Sequence, residues 1–129
     1  MTINVAKVGV VSPLFLWMGL LPFTNLLIQF IEDVRRDLET PNLPFVIAET
    51  GMSGLEEKHP RALSLMAAQK AVADYPNFNG NVAFVPTRDF YRPAEVSPSK
   101  QAYHWNNNAE TYYLIGEHMA HAMIRLIKP

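Results

Sequence analysis

The sequence predicts an α/β domain in which helices pack in three layers (α/β/α) around a small parallel sheet. Three observations predict it. Short, β-rich apolar runs alternate with longer segments whose apolar residues recur at helical spacing. Proline and glycine bound those runs, as they bound buried parallel strands. The resulting order of strand, helix, strand, helix, strand, helix calls for right-handed crossovers on one sheet.

Taken in order, Val8 to Trp17 is an apolar, strand-like segment ended by Gly19 and Pro22. Val8 to Phe30 carries no charge and follows Lys7, a pattern shared by signal-peptide cores and membrane spans. Ser12, Pro13, Pro22, Thr24, Asn25 and Gln29 interrupt the run, and no small-x-small cleavage site follows it. A buried strand and a separate helix fit it better. Thr24 can cap that helix, which runs to about Glu39 with Leu27, Phe30, Ile31, Val34 and Leu38 on one face. ETPNLP stops it, and PFVIAET is the next strand.

GMSGLEEKHP is a polar loop, and Pro60 opens a helix to about Tyr75 with Leu65, Ala68, Val72 and Tyr75 together. YPNFNG turns the chain into the strand NVAFVPT. The long connection RDFYRPAEVSPSKQAYHWN exceeds the usual loop length, and its aromatics Phe90, Tyr91, Tyr103 and Trp105 favour an ordered, site-forming loop. The last helix spans about Asn108 to Ile127. Asn107 and Glu110 stand at capping spacing, and Tyr112, Ile115, Met119, Met123 and Leu126 form the apolar stripe.

Composition limits the function. At 129 residues the chain makes one domain at most, with 49% hydrophobic and 18% charged residues, an ordinary globular balance. A net charge of −1 gives no reason to expect nucleic acid or an anionic membrane as partner. The absence of cysteine excludes disulfides, zinc-thiolate sites and a cysteine nucleophile. It leaves the compartment open. Three strands make a small sheet, and an uncovered sheet edge invites pairing with a second copy of the chain.

Ligands of open parallel sheets bind beyond the carboxyl ends of the strands. Those ends carry Glu49, Thr50 and Gly51 in one place and Thr87, Arg88 and Asp89 in another, while His104 leads into the last helix. A helix N-terminus disfavours protonation of a histidine beside it, which suits His104 to the role of a base. The alternative is a partly exposed ring packed on Trp105 or Tyr103. Asp89 can orient His104, or pair with Arg88 or Arg92, or bond its own turn. Glu49 faces either the site or the next helix. Ser53 sits between strand and helix, but Gly54 comes one residue too early for the G-x-S-x-G nucleophile elbow. His118 and His121 lack an evident third metal ligand beyond Glu117.

Four stretches, NLLIQFIEDVRRDL, LPFVIAETGMSG, NGNVAFVPTRDF and YHWNNNAETYYLIGEHMAHAM, carry a family likeness. Across Asn25 to Leu126 the chain resembles the sialate O-acetylesterase-like carbohydrate esterases of the SGNH (GDSL-like) hydrolases. That family ends in a block whose catalytic histidine precedes a helix with a leucine/isoleucine-glycine pair, and His104, Ile115 and Gly116 occupy those places. The resemblance implies a partial SGNH, flavodoxin-like fold and serine-type hydrolysis of acetyl esters on small sugars or polysaccharides. It implies His104 as base, Asp89 as the orienting acid, and Glu49, Arg88 and Trp105 as substrate contacts. Neither a metal nor an organic cofactor is implied, and the family is often secreted or periplasmic.

The chain departs from the family in three places. The G-D-S or G-Q-S block that carries the nucleophile has no counterpart here. Gln101 stands where the family has its acid three residues before the histidine, and residues 1–22 are divergent. The chain thus reads as the C-terminal half of an esterase. The alternative is an inactive remnant that binds carbohydrate or serves assembly.

Overall fold

The computed structural model describes residues 13–128, and their side chains from residue 22 onward. Its principal elements are α1 (Pro13–Asp37), β1 (Phe45–Ala48), α2 (Pro60–Ala73), β2 (Val82–Val85) and α3 (Ala109–Ile127). Short 3-10 turns at Arg88–Phe90, Ala94–Val96 and Ala102–Asn107 organise the long connection between β2 and α3.

The helix/strand alternation from β1 onward agrees with the sequence pattern, whereas the start of the chain does not. The strand expected over Val8–Trp17 is helical from Pro13 on, and Val8–Ser12 lies outside the described residues. An apolar run alone does not separate a buried helix from a buried strand. Pro22 lies inside α1. It cannot donate the usual backbone bond, yet the helix continues through it. Thr24 is consequently a buried residue within α1 rather than its cap.

The sheet among the described residues has two parallel strands, with Phe45 opposite Val82 and Ala48 opposite Val85. Phe45 N–H donates to Asn81 O (3.0 Å) and Glu49 N–H to Val85 O (2.9 Å), one bond at each end of the ladder. Alternate residues share a face. Phe45, Ile47 and Val82 join Ile28 and Ile31 of α1, Val72 of α2 and Phe78 in the hydrophobic core. α3 packs on both strands.

Arg35 closes the amino-terminal end of the strands. It is 7% exposed. Its Nε and Nη2 donate to Leu43 O (3.0 and 2.8 Å), and Nη2 also reaches Asn81 Oδ1 (2.8 Å). The guanidinium lies over the rings of Phe45 and Phe78, 5.6 and 5.0 Å from their centroids. One side chain thus joins the end of α1 to the segments that enter both strands.

α3 begins one residue later than expected. Asn108, not Asn107, is its N-cap, and its side chain accepts from Thr111 N–H. Asn107 has φ 56°, incompatible with the extended conformation typical of a cap. Glu110 turns outward instead and pairs with Arg92. Thr111 faces inward, donating from Oγ1 to Phe90 O (2.6 Å), so its neighbour Tyr112, expected in the buried stripe, is exposed.

Candidate functional site

The site is assembled from the loops into which the two strands run. Glu49 ends β1, and its buried carboxylate takes over from the backbone where the ladder stops. Thr87 N–H donates to Glu49 Oε2 (3.0 Å) while the Thr87 hydroxyl donates to Glu49 O (2.7 Å). The other carboxylate oxygen meets Arg88 Nε at 3.1 Å. Gly51 makes this approach feasible, because a Cβ there would stand 2.5 Å from Arg88 Cγ and 2.9 Å from Thr87 Oγ1. Gln69 of α2 steadies the same strand end by accepting from Thr50 N–H (3.0 Å).

The turn after β2 carries Asp89 outward. Its carboxylate makes no hydrogen bond or ion pair among the described residues, whereas its backbone carbonyl accepts from Arg92 Nη1 (3.3 Å). Arg92 forks onto Glu110 at the start of α3, with Nε to Oε2 at 3.1 Å and Nη2 to Oε1 at 2.8 Å. This pairing holds the Glu110 carboxyl below its ordinary range and raises Arg92. Together with the Thr111 bond to Phe90, it fixes the start of α3 beside the carboxyl end of β2.

His104 stands in the 3-10 segment immediately before that helix. Its ring lies against Tyr103, centroids 4.5 Å apart. The backbone after it is unusual. Trp105, Asn106 and Asn107 have φ of 51°, 53° and 56°, a left-handed run of non-glycine residues. Asparagine tolerates that region better than most residues do. The turn is bolted on every side. His104 N–H and Asn106 N–H both donate to Gln101 O (2.8 and 3.0 Å), and Asn106 O accepts from Ser99 N–H (3.1 Å). Tyr112 Oη donates to His104 O (2.9 Å).

Each asparagine has its own task. Asn106, 2% exposed, donates from Nδ2 to Tyr91 Oη (3.2 Å) and Arg92 O (3.0 Å). Asn107 donates to Ser99 Oγ (3.0 Å) and Gln101 Oε1 (3.3 Å). Asn108 caps α3 with its oxygen and donates from Nδ2 to Val96 O (3.3 Å) and Ser97 Oγ (3.1 Å). Tyr91 extends the chain of contacts to the loop after β1, where a Cβ on Gly54 (φ +65°) would stand 2.9 Å from Tyr91 Cδ1.

The candidate residues therefore fall into two groups. Glu49 and Arg88 are in direct contact. His104 and Asp89 share no hydrogen bond or ion pair, though Tyr91, Arg92 and Asn106 connect their segments. Trp105 is 8% exposed and packs inward, whereas Tyr103 is 63% exposed and offers its ring to solvent. Ser53 hydrogen-bonds to Glu57, whose carboxyl is held low first by the His59 backbone N–H and then by that hydroxyl. His118 is tied to Leu114 O through Nδ1 (2.8 Å) and lies on the Phe90 ring, centroids 4.4 Å apart.

Sequence alone assigns no positioning role to Tyr91, Thr87 or Asn106. The run of three asparagines is the one available signal for the last. A shallow depression lined by Glu32, Arg35, Arg36, Glu39 and Asn77 lies at the opposite end of the strands and contains no candidate residue. Among the described residues no helix is long and apolar enough to cross a membrane. No protein-family model matches the chain, and no curated protein or solved structure is significantly similar to it.

Proposed function

We propose that this chain is the C-terminal part of a carbohydrate O-acetylesterase-like hydrolase of the SGNH type, with His104 as its base and β1 and β2 as strands of a three-layer α/β/α sheet. The observation that carries the reading is the turn around His104. A left-handed run of three non-glycine residues costs about 1–3 kcal/mol per residue, and such strain persists where surrounding contacts enforce it. Here those contacts anchor the turn to the loop beyond the carboxyl end of β2, on the edge of a parallel sheet where sites form. The histidine that the turn carries is itself exposed and, among the described residues, without a hydrogen bond to its ring.

In this reading His104 takes the proton of a serine hydroxyl as that oxygen attacks the acetyl carbon, then returns it to the departing sugar oxygen. Water hydrolyses the acetyl-enzyme by the same shuttle in reverse. The serine would come from a G-D-S or G-Q-S block, which this sequence does not contain. Asp89 is the proposed orienting acid, since its carboxylate is unpaired on a turn that Arg92 and Thr111 tie to α3. Glu49 serves by fixing Arg88, whose terminal nitrogens have no partner among the described residues and remain available to substrate. Stacking of a sugar ring falls to Tyr103 rather than to the inward Trp105. The acetyl ester is the only ligand the mechanism uses.

The coding DNA upstream should hold an in-frame G-D-S or G-Q-S block. Protein extended to include it should hydrolyse acetyl esters, label with a fluorophosphonate and lose several orders of magnitude in rate on His104→Ala. An extended enzyme whose turnover is indifferent to His104→Ala would sink the assignment. A second reading, an inactive carbohydrate-binding or assembly module, is favoured by the exposed Tyr103 and Tyr112 beside a histidine with no acid partner among the described residues. Saccharide binding without labelling or turnover, lost in Tyr103→Ala, would select it.

A further inference from the structure

We infer that Tyr91 and Asn106 form a positioning pair whose side-chain hydrogen bond sets where His104 stands relative to the strand ends. The functional meaning of the pair rests on His104 being the base, while the geometry is independent of that reading. Asn106 is almost wholly buried, and its carboxamide donates to both Tyr91 Oη and Arg92 O. A buried amide is costly unless its donors are satisfied, so these two acceptors define where Asn106 can lie. Its backbone is held as firmly, between Gln101 O and Ser99 N–H. His104 is two residues away and shares the Gln101 acceptor.

Tyr91 is fixed from the other side. Its ring occupies the space a side chain at Gly54 would need, and Gly54 adopts a φ of +65° that favours glycine. The loop after β1 therefore sets the ring, the ring sets the hydroxyl, and the hydroxyl sets Asn106. A displacement of the loop after β1 is passed through the Tyr91 ring to the Asn106 amide, which the Tyr91 hydroxyl and the neighbouring Arg92 O hold together. Their hydrogen bonds run to each other and to the Arg92 backbone, so both act by holding the backbone that carries His104.

The test uses the full chain and reads the ring-proton resonances of His104 by NMR. The Tyr103 ring, 4.5 Å away, shifts those signals, and Tyr103→Ala supplies their unstacked positions. Tyr91→Phe removes only the hydroxyl. Asn106→Ala removes the amide and disfavours the left-handed backbone, whereas Asn106→Gly removes the amide and still accepts that backbone. Tyr91→Phe and Asn106→Gly should each move the His104 signals toward the Tyr103→Ala positions. The double variant should move them no further than the larger single change, because the two residues act as one unit.

His104 signals that stay at their original positions in Tyr91→Phe and Asn106→Gly, while only the melting temperature falls, would overturn the proposal. Should Asn106→Ala not fold, Tyr91→Phe decides by itself. In protein carrying a complete catalytic site, Tyr91→Phe should lower kcat about tenfold or more with KM unchanged. Shifted His104 signals in a protein that hydrolyses no ester would uphold the positioning pair and defeat the esterase reading.

Discussion

The two ends of the β1–β2 sheet each hold a partly or wholly buried arginine, and they use it differently. At the amino-terminal end Arg35 spends its donors on Leu43 O and on Asn81, with its plane against two phenylalanine rings. Burial pulls its pKa down, and the charge of Glu32 offsets that loss of water only in part. At the carboxyl end Arg88 is held only at Nε, by buried Glu49, and is more exposed. The Asp89 carboxylate and the His104 ring, near the same end, also lack hydrogen-bonding partners among the described residues. One end is closed on itself. The other is rigid in its backbone yet keeps unspent charge and hydrogen-bonding groups, the combination a binding or catalytic surface requires.

Stability should therefore reside more in the closed end. Arg35→Ala removes three close hydrogen bonds and two ring contacts and leaves Leu43 O and Asn81 without their donor. It should cost about 3 kcal/mol in urea unfolding. Arg35→Lys should recover little, because one ammonium cannot reproduce the fork. If Arg35→Ala costs less than a change at Glu49, the contrast between the ends fails. The Glu49 change to compare is Glu49→Gln, which sets an amide against two donors, Thr87 N–H and Arg88 Nε. Half of that amide repels one of them, and the expected loss is about 2 kcal/mol.

A third measurement separates two adjacent asparagines. Asn108→Ala should cost about 1 kcal/mol, the usual value of an N-cap, plus the contribution of its bonds to Val96 and Ser97. Asn107→Gly should be nearly neutral, because glycine accepts the same left-handed backbone and the bonds lost are exposed. The reverse order in thermal unfolding would restore Asn107 as the cap that spacing alone suggested.

That pair also shows where the sequence is legible. The helix from Pro60, the strands around Val46 and Ala83 and the helix after Asn108 were readable because period and boundary residues agree there. Pro22 pointed to a break that α1 does not have, since one lost backbone bond does not end a helix. The strand-end residues Glu49 and Arg88 could be placed on one edge by topology. Their contact depends on Gly51, whose bare Cα admits the Arg88 side chain. The histidine turn was the least legible part. Its shape is set by left-handed non-glycine residues, which no periodicity encodes, and by bonds from Asn106 to residues 14 and 15 positions away. Which aromatic faces outward is decided by that turn: Trp105, which the family resemblance made a substrate contact, packs inward, and Tyr103 is exposed.

The smallest expected effect concerns the link between the turn after β2 and α3. Arg92 holds the Glu110 carboxyl below its ordinary pKa, first through the hydrogen bond and then through charge. A carboxylate whose folded pKa is depressed stabilises the fold above its unfolded pKa and loses that contribution as pH falls through the folded value. The contribution is therefore intact at neutral pH and disappears on the acid side of the ordinary glutamate range. Both partners are solvent-accessible, so it should be modest and weaken in salt. Glu110→Gln should lower the melting temperature slightly at pH 7 and converge with the parent protein as the pH is taken below about 4. Arg92→Ala should behave otherwise. Arg92 also donates to Asp89 O and Tyr91 O, bonds that do not titrate, so its deficit should persist in acid. Melting curves across pH, at low and high salt, distinguish the two. If Arg92→Ala and Glu110→Gln converge alike, then the ion pair alone ties α3 to the carboxyl end, and the rigidity attributed to that end is itself pH-dependent.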